Sequence, residues 1–174
     1  MSVAKAADLL ASHYPGVDRS RLLAGALLHD IGKVRELRMQ GGLVEYTDIG
    51  RLKGHLVICC EMVTEVAGKI ENFPDELLSE IQHMILSHHG RLEFGSPTVP
   101  MTVESFMLSM VDDLDAKMNV MEQLRRKMTG EEPSWTEYQR ILERYLYLGP
   151  LREQPGATAE QNGQQDGRRQ PSLF

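Results

Sequence analysis

Between Ser2 and Met128, apolar residues return at helical spacing in segment after segment, and glycine or proline closes most of them. That period decides the fold class. Val3, Ala6, Ala7 and Leu10 make one face ahead of a stop at Tyr14-Pro15-Gly16. Asp18 is a good N-cap for a second helix, which carries Leu22, Leu23, Ala26 and Leu27 to His29-Asp30 and stops near Gly32. Its near all-round apolar character predicts burial. Residues 34–50 hold Gly41, Gly42 and Gly50 without a clean period, so they read as loop with room for a short hairpin.

Leu52, His55, Cys59, Met62, Val63 and Val66 share a face of a third helix. Pro74, Asp75 and Glu76 open a fourth, on which Leu77, Ile81, Ile85 and His88 line up. The stretch from Gly90 to Pro100 predicts an irregular rim. A fifth helix from about Thr102 to Met128 presents Met107, Met110, Val111, Leu114, Met118 and Met121 as its apolar face, with Asp112, Asp115 and Asn119 as a second stripe. The run from Ser134 to Glu137 reads as a capping box for a last helix carrying Tyr138, Ile141, Leu142 and Tyr145. The expectation is an all-α domain over 1–149, with a metal site between helices. Residues 150–174, rich in Gln and Gly, read as a disordered tail.

At 174 residues the chain suits one compact domain, and 41% hydrophobic against 25% charged residues is ordinary for a packed core. A net charge of -6 argues against holding nucleic acid by a broad basic surface. Cys59 and Cys60 are adjacent, point apart on a helix and read as reduced thiols, which suits the cytoplasm. No apolar run reaches the roughly 18 residues of a membrane span, and no signal core opens the chain, so no membrane role is expected.

His29 and Asp30 end a buried apolar helix, where an uncompensated carboxylate would cost several kcal/mol. A divalent cation compensates it directly, and a carboxylate can bridge two ions about 3.5 to 4 Å apart. His55, His88, His89 and Asp112 lie at the ends or inner faces of other apolar helices. Any one core histidine is more often hydrogen-bonded than ligating, so the conjunction carries the inference. Four imidazoles and two carboxylates would furnish two adjacent divalent transition-metal sites. Manganese, iron or cobalt fit the mixture best, with zinc or magnesium as lesser fits. His83 reads as a core or supporting histidine, and His13 falls in a turn. Lys33 and Arg91 are candidates for gripping phosphate, whereas Arg35 reads as a solvated charge.

The string Leu28-His29-Asp30-Ile31-Gly32-Lys33, joined to His55, His88-His89 and Asp112, resembles the signature of the HD-domain metal-dependent phosphohydrolases. Gly25 to Leu37, Glu45 to His55, His83 to Pro97 and Asp112 to Asn119 are similar to the YhaM-type 3'-to-5' exoribonucleases within that family. The resemblance implies a helical HD fold and 3'-to-5' hydrolysis of phosphodiester bonds by a metal-bound hydroxide. It implies catalytic roles for Asp30 and Lys33, with RNA or a nucleotide phosphate as substrate. It assigns His29, Asp30 and Asp112 to one ion and His55, His88 and His89 to the other, with Asp30 between. Asp115 becomes a supporting partner of the centre. The family's pattern also has a histidine ligand ahead of the segment that starts here at Ser2, and an N-terminal OB-type domain. His13, beyond the first helix, does not replace that histidine.

Gln170, Leu173 and Phe174 are similar to the short peptide that docks on bacterial sliding clamps, a contact suited to a disordered end. Three other functions use the same residues. A nucleotide phosphohydrolase would turn over mononucleotides and spare oligonucleotides. An HD-type di-iron oxygenase would be coloured and consume oxygen. A module weakened by the missing histidine would bind without cleaving.

Overall fold

A computed structural model describes residues 1–128, 130 and 132–149. The expectations for 150–174, including the clamp-type residues Gln170, Leu173 and Phe174, lie outside the described residues. The chain divides into two units, Met1–Asp115 and Ala116–Phe174.

The first unit is helical, as the periodicity requires. Helix α1 spans Ser2–His13 and α2 spans Arg19–Leu28, with the Asp18 carboxylate accepting from the backbone amides of Ser20 and Arg21. His13 is therefore the last residue of α1 rather than part of a turn. A short α3, Lys33–Glu36, leads into the hairpin of β1 (Leu37–Gln40) and β2 (Leu43–Tyr46). Leu37 pairs with Tyr46 and Gln40 with Leu43, across a Gly41-Gly42 turn in which both φ angles are positive. Helix α4 spans Asp48–Ala67, capped by the Thr47 hydroxyl, and α5 spans Asp75–Ser87 behind Pro74.

Ala7, Leu22, Ala26, Cys59, Met84, Ile85, Leu108 and Val111 form the core of this unit, so α1, α2, α4, α5 and α6 (Val103–Arg126) all contribute. Gly32 fixes how closely the turn after α2 meets α4, because a Cβ there would lie 2.4 Å from the His55 carbonyl oxygen.

Further expectations are corrected. Helix α2 is not buried all round, since Leu27 is 56% exposed, and the expected inner face of α4 does not extend to Leu52 and Val66, which are 85% and 57% exposed. On α6 the buried residues are Ser105, Leu108, Ser109 and Val111, whereas Met110, Leu114 and Met118 are half exposed or more. Small serines let the backbone pack closely, and that turns the Asp112 side inward instead of the methionine stripe.

The predicted last helix does not form. Ser134–Trp135 (β3) pairs antiparallel with Tyr147–Leu148 (β4), and Gln139 bridges to Arg144. The segment is rich in aromatic residues, which favour cross-strand pairing: Trp135 lies against Tyr147 and Tyr138 against Tyr145. Leu142, Leu146 and Leu148 bury against Val120, Met121, Leu124 and Met128 within the second unit. Ser134, the expected cap, lies instead in a strand opposite Leu148, and the Thr136 hydroxyl accepts from the Leu146 amide across the turn. Among the described residues no helix is long and apolar enough to cross a membrane.

Candidate metal centre

The site is assembled at element ends, where backbone carbonyls left over by the helices can hold imidazoles. His29 follows directly after α2, and its Nδ1 donates to the Ala26 carbonyl at 3.0 Å. His88 follows α5 in the same way and donates to Ile85 O at 2.7 Å. His89 donates to Phe94 O at 2.9 Å, which ties it to the short 3-10 turn Leu92–Phe94. For each ring this network assigns the proton to Nδ1 and the lone pair to Nε2.

His55 is positioned differently. Gly54 holds φ 72° and ψ 159°, a backbone region open essentially to glycine alone, and breaks α4 into two helical pieces. The His55 amide, at the start of the second piece, donates to Glu36 Oε1 at 2.9 Å, and its Nδ1 faces the same oxygen at 3.3 Å.

Asp30 sits among these rings with its two oxygens turned to different neighbours. Oδ2 lies 3.5 Å from His29 Nε2 and accepts from Lys33 Nζ at 2.8 Å. Oδ1 lies 3.6 Å from His55 Nε2 and 3.9 Å from His88 Nε2. Asp112 Oδ1 stands 3.5 Å from His29 Nε2. His29 meets His88, and His88 meets His89, with ring centroids 4.8 and 4.4 Å apart.

Asp30 Oδ1 and His55 Nε2 are buried and lack a hydrogen-bond partner among the described residues. Leaving such a group unsatisfied costs about 1–3 kcal/mol, so two of them facing each other call for a shared guest. Two donor sets could each hold a metal ion: His55, His88 and His89, and His29, Asp30 and His88, with ligand atoms within 4.8 Å of one another. One imidazole nitrogen serves one ion, so His88 belongs to one set at a time, whereas Asp30 has an oxygen for each.

The electrostatics suit a cation. Burial, then the neighbouring charges of His29 and His89, push His88 down to about 3, and burial followed by His55 lowers His89. Both rings thus keep a lone pair at neutral pH. Burial disfavours charge on Asp30, but His29 and Lys33 outweigh it and hold its carboxyl below the ordinary range. Asp112 is lowered against the same burial by its contact with His29. His29 rises, because Asp112 and Asp30 outweigh its own burial.

All six expected ligands are therefore in one place, with Lys33 at the edge. Arg91 lies on the rim with its guanidinium 5.7 Å from the Phe94 ring, and Asp115 accepts from the Ser2 hydroxyl. His83 accepts from the Met101 amide at 2.9 Å, apart from the cluster, and His13 is exposed. Glu36 went unnoticed in the sequence, inside a stretch read as loop. Flanked by Arg35 and Leu37, it carried no local signal that set it apart from a solvated charge.

The HD domain family matches residues 1–117. The chain is 41% identical over 153 residues to the 3'-5' exoribonuclease YhaM of Bacillus subtilis strain 168, a match covering 86% of this chain and 46% of that protein. It is 42% identical over 134 residues to YhaM of Bacillus licheniformis, with 75% and 41% covered. Against YhaM of Shouchella clausii it is 40% identical over 134 residues, again with 75% and 41% covered. The chain thus spans under half the length of these relatives. No solved structure matches. Together with a histidine and aspartate cluster able to hold metal, the match places this chain in the HD domain family.

Proposed function

We propose that this chain is the HD module of a metal-dependent 3'-to-5' exoribonuclease, hydrolysing phosphodiester bonds at a two-cation centre. The observation that carries the reading is the facing pair of Asp30 Oδ1 and His55 Nε2, buried, 3.6 Å apart and unsatisfied among the described residues. The exoribonuclease relatives supply the polymer and the direction.

In this reading His29, Asp30 and Asp112 hold one ion and His55, His88 and His89 the other. Asp30 would serve both, since its two oxygens are turned to different donor sets. Manganese, iron or cobalt suit the mixed imidazole and carboxylate donors better than zinc or magnesium. Divalent ions held there would lower the pKa of water and screen the phosphate charge.

The chain's own residues orient the rest. Asp30 is the catalytic carboxylate, since its position between both donor sets fixes where a phosphate can approach. Lys33 is part exposed and one turn past Asp30, so rotation of its side chain exchanges the Asp30 carboxylate for a phosphate oxygen. Arg91 on the rim offers a second cation to the backbone of the substrate. Asp115, one turn beyond Asp112, accepts from Ser2 and would support the centre by fixing α1 to α6 beside it.

The test is a 5'-labelled RNA oligonucleotide digested in manganese, with metal per chain measured by elemental analysis. A ladder shortened from the 3' end with two ions per chain is expected, and H88A and D30A should lose both. Two ions, turnover of mononucleotides and intact RNA would replace this reading with a nucleotide phosphohydrolase. One ion or none with intact RNA would leave a module that binds without cleaving.

A further inference from the structure

Among the described residues, His29, His88 and His89 each lean on a neutral backbone carbonyl, whereas His55 leans on the carboxylate of Glu36. That difference is built by several positions at once. Glu36 is 6% exposed, so its charge sits where water does not compensate it. Its backbone is clamped: Glu36 O accepts from the Thr47 amide at 2.8 Å and the Thr47 hydroxyl at 3.1 Å. Gly50 passes so close that a Cβ there would lie 2.2 Å from Glu36 O. On the other side, the Gly54 kink presents the His55 amide to Glu36 Oε1. The carboxylate therefore takes both the amide and the ring of one residue.

We infer that Glu36 is a positioning residue for His55, setting its tautomer and ring orientation and thereby the affinity of the His55, His88 and His89 cation site in particular. The inference rests on the metal reading of the cluster. A carboxylate behind an imidazole fixes the proton on Nδ1, aims Nε2 outward and raises its basicity as a ligand. A neutral carbonyl does the first two of these. Loss of Glu36 then weakens the His55 site while sparing the one built on His29 and Asp112, whose side chains share no hydrogen bond with Glu36 among the described residues.

The experiment compares wild type, E36Q and E36A by manganese titration and by imidazole nitrogen NMR of the metal-free protein. E36A should weaken one class of site by about tenfold to a hundredfold, the usual scale for such partners, and leave the other within about threefold. The His55 ring should change from a single Nδ1-H tautomer to a mixture. E36Q keeps an oxygen acceptor without the charge, so it should restore the tautomer and recover only part of the affinity.

Unchanged affinity at both sites in a folded E36A protein would overturn the inference, as would equal losses at both. A drop in thermal stability with both affinities intact would overturn it too, because Glu36 would then be structural only. The NMR arm separates the two readings. If wild type binds no manganese, the metal reading fails, while an unchanged His55 tautomer in E36A defeats the positioning role by itself.

Discussion

His88 is the residue whose chemistry is set most strongly by its surroundings. It is 2% exposed, and burial holds its pKa at about 3 against an ordinary value of 6.5. Between those two values the unfolded chain takes up a proton that the folded chain refuses, so the metal-free protein loses stability as pH falls from about 6.5 toward 3. The slope is about 1.4 kcal/mol per pH unit for one proton. His29 works the other way: its raised pKa contributes stability at low pH that is lost as pH rises through the folded value. Asp30 and Asp112, held low, add an acid loss only as pH falls below their ordinary 3.8. Urea denaturation in EDTA at pH 7.5 and 4.5 should therefore show wild type losing more stability than H88N. Equal losses would mean that His88 is protonated while folded. The clustering of the six side chains was legible in the sequence because polar, metal-competent groups on apolar helices are expensive unless they share a purpose. Glu36 was not, because the amide and ring of His55 reach it only across a kink, and no periodicity announces a kink.

At the scale of elements, α4 shows what helical period can and cannot say. Of the expected face, Cys59 and Val63 are buried, whereas its two ends, Leu52 and Val66, are 85% and 57% exposed. The break at Gly54 was invisible, since glycine inside a helical pattern reads as a small penalty. It is instead the joint that turns His55 toward Glu36. With φ 72° and ψ 159°, an alanine at this position is strained although nothing lies within 4 Å of its Cβ. G54A should cost about 1–3 kcal/mol of stability and, by swinging His55, weaken manganese binding. Thermal melts with and without the metal check it: an unchanged melting temperature in EDTA would mean that the kink carries no strain. The segment after α6 failed for the opposite reason. A local capping pattern at Ser134 was outweighed by aromatic cross-strand pairs and by leucines that bury only when the chain turns back.

For the whole chain, the net charge of -6 constrains how the proposed RNA substrate could be held. A protein that grips phosphates with many lysines and arginines releases counterions and shows a steep salt dependence. Of the cations expected to grip phosphate, Lys33 is engaged with Asp30, and Arg91 lies over the Phe94 ring. If bound metal supplies most of the attraction, RNA affinity should follow metal loading. A fluorescent RNA titrated at fixed ionic strength should bind weakly in EDTA and at least tenfold more tightly when calcium replaces EDTA, chosen as a hard cation to hold the substrate while slowing cleavage. H88A should lose most of that gain. The slope of log affinity against log salt should stay shallow, corresponding to about one or two phosphate contacts. Tight binding in EDTA with a steep slope would place the RNA on a basic surface away from this cluster. The centre would then act on a strand held elsewhere, and the -6 charge of the chain would have no bearing on substrate capture.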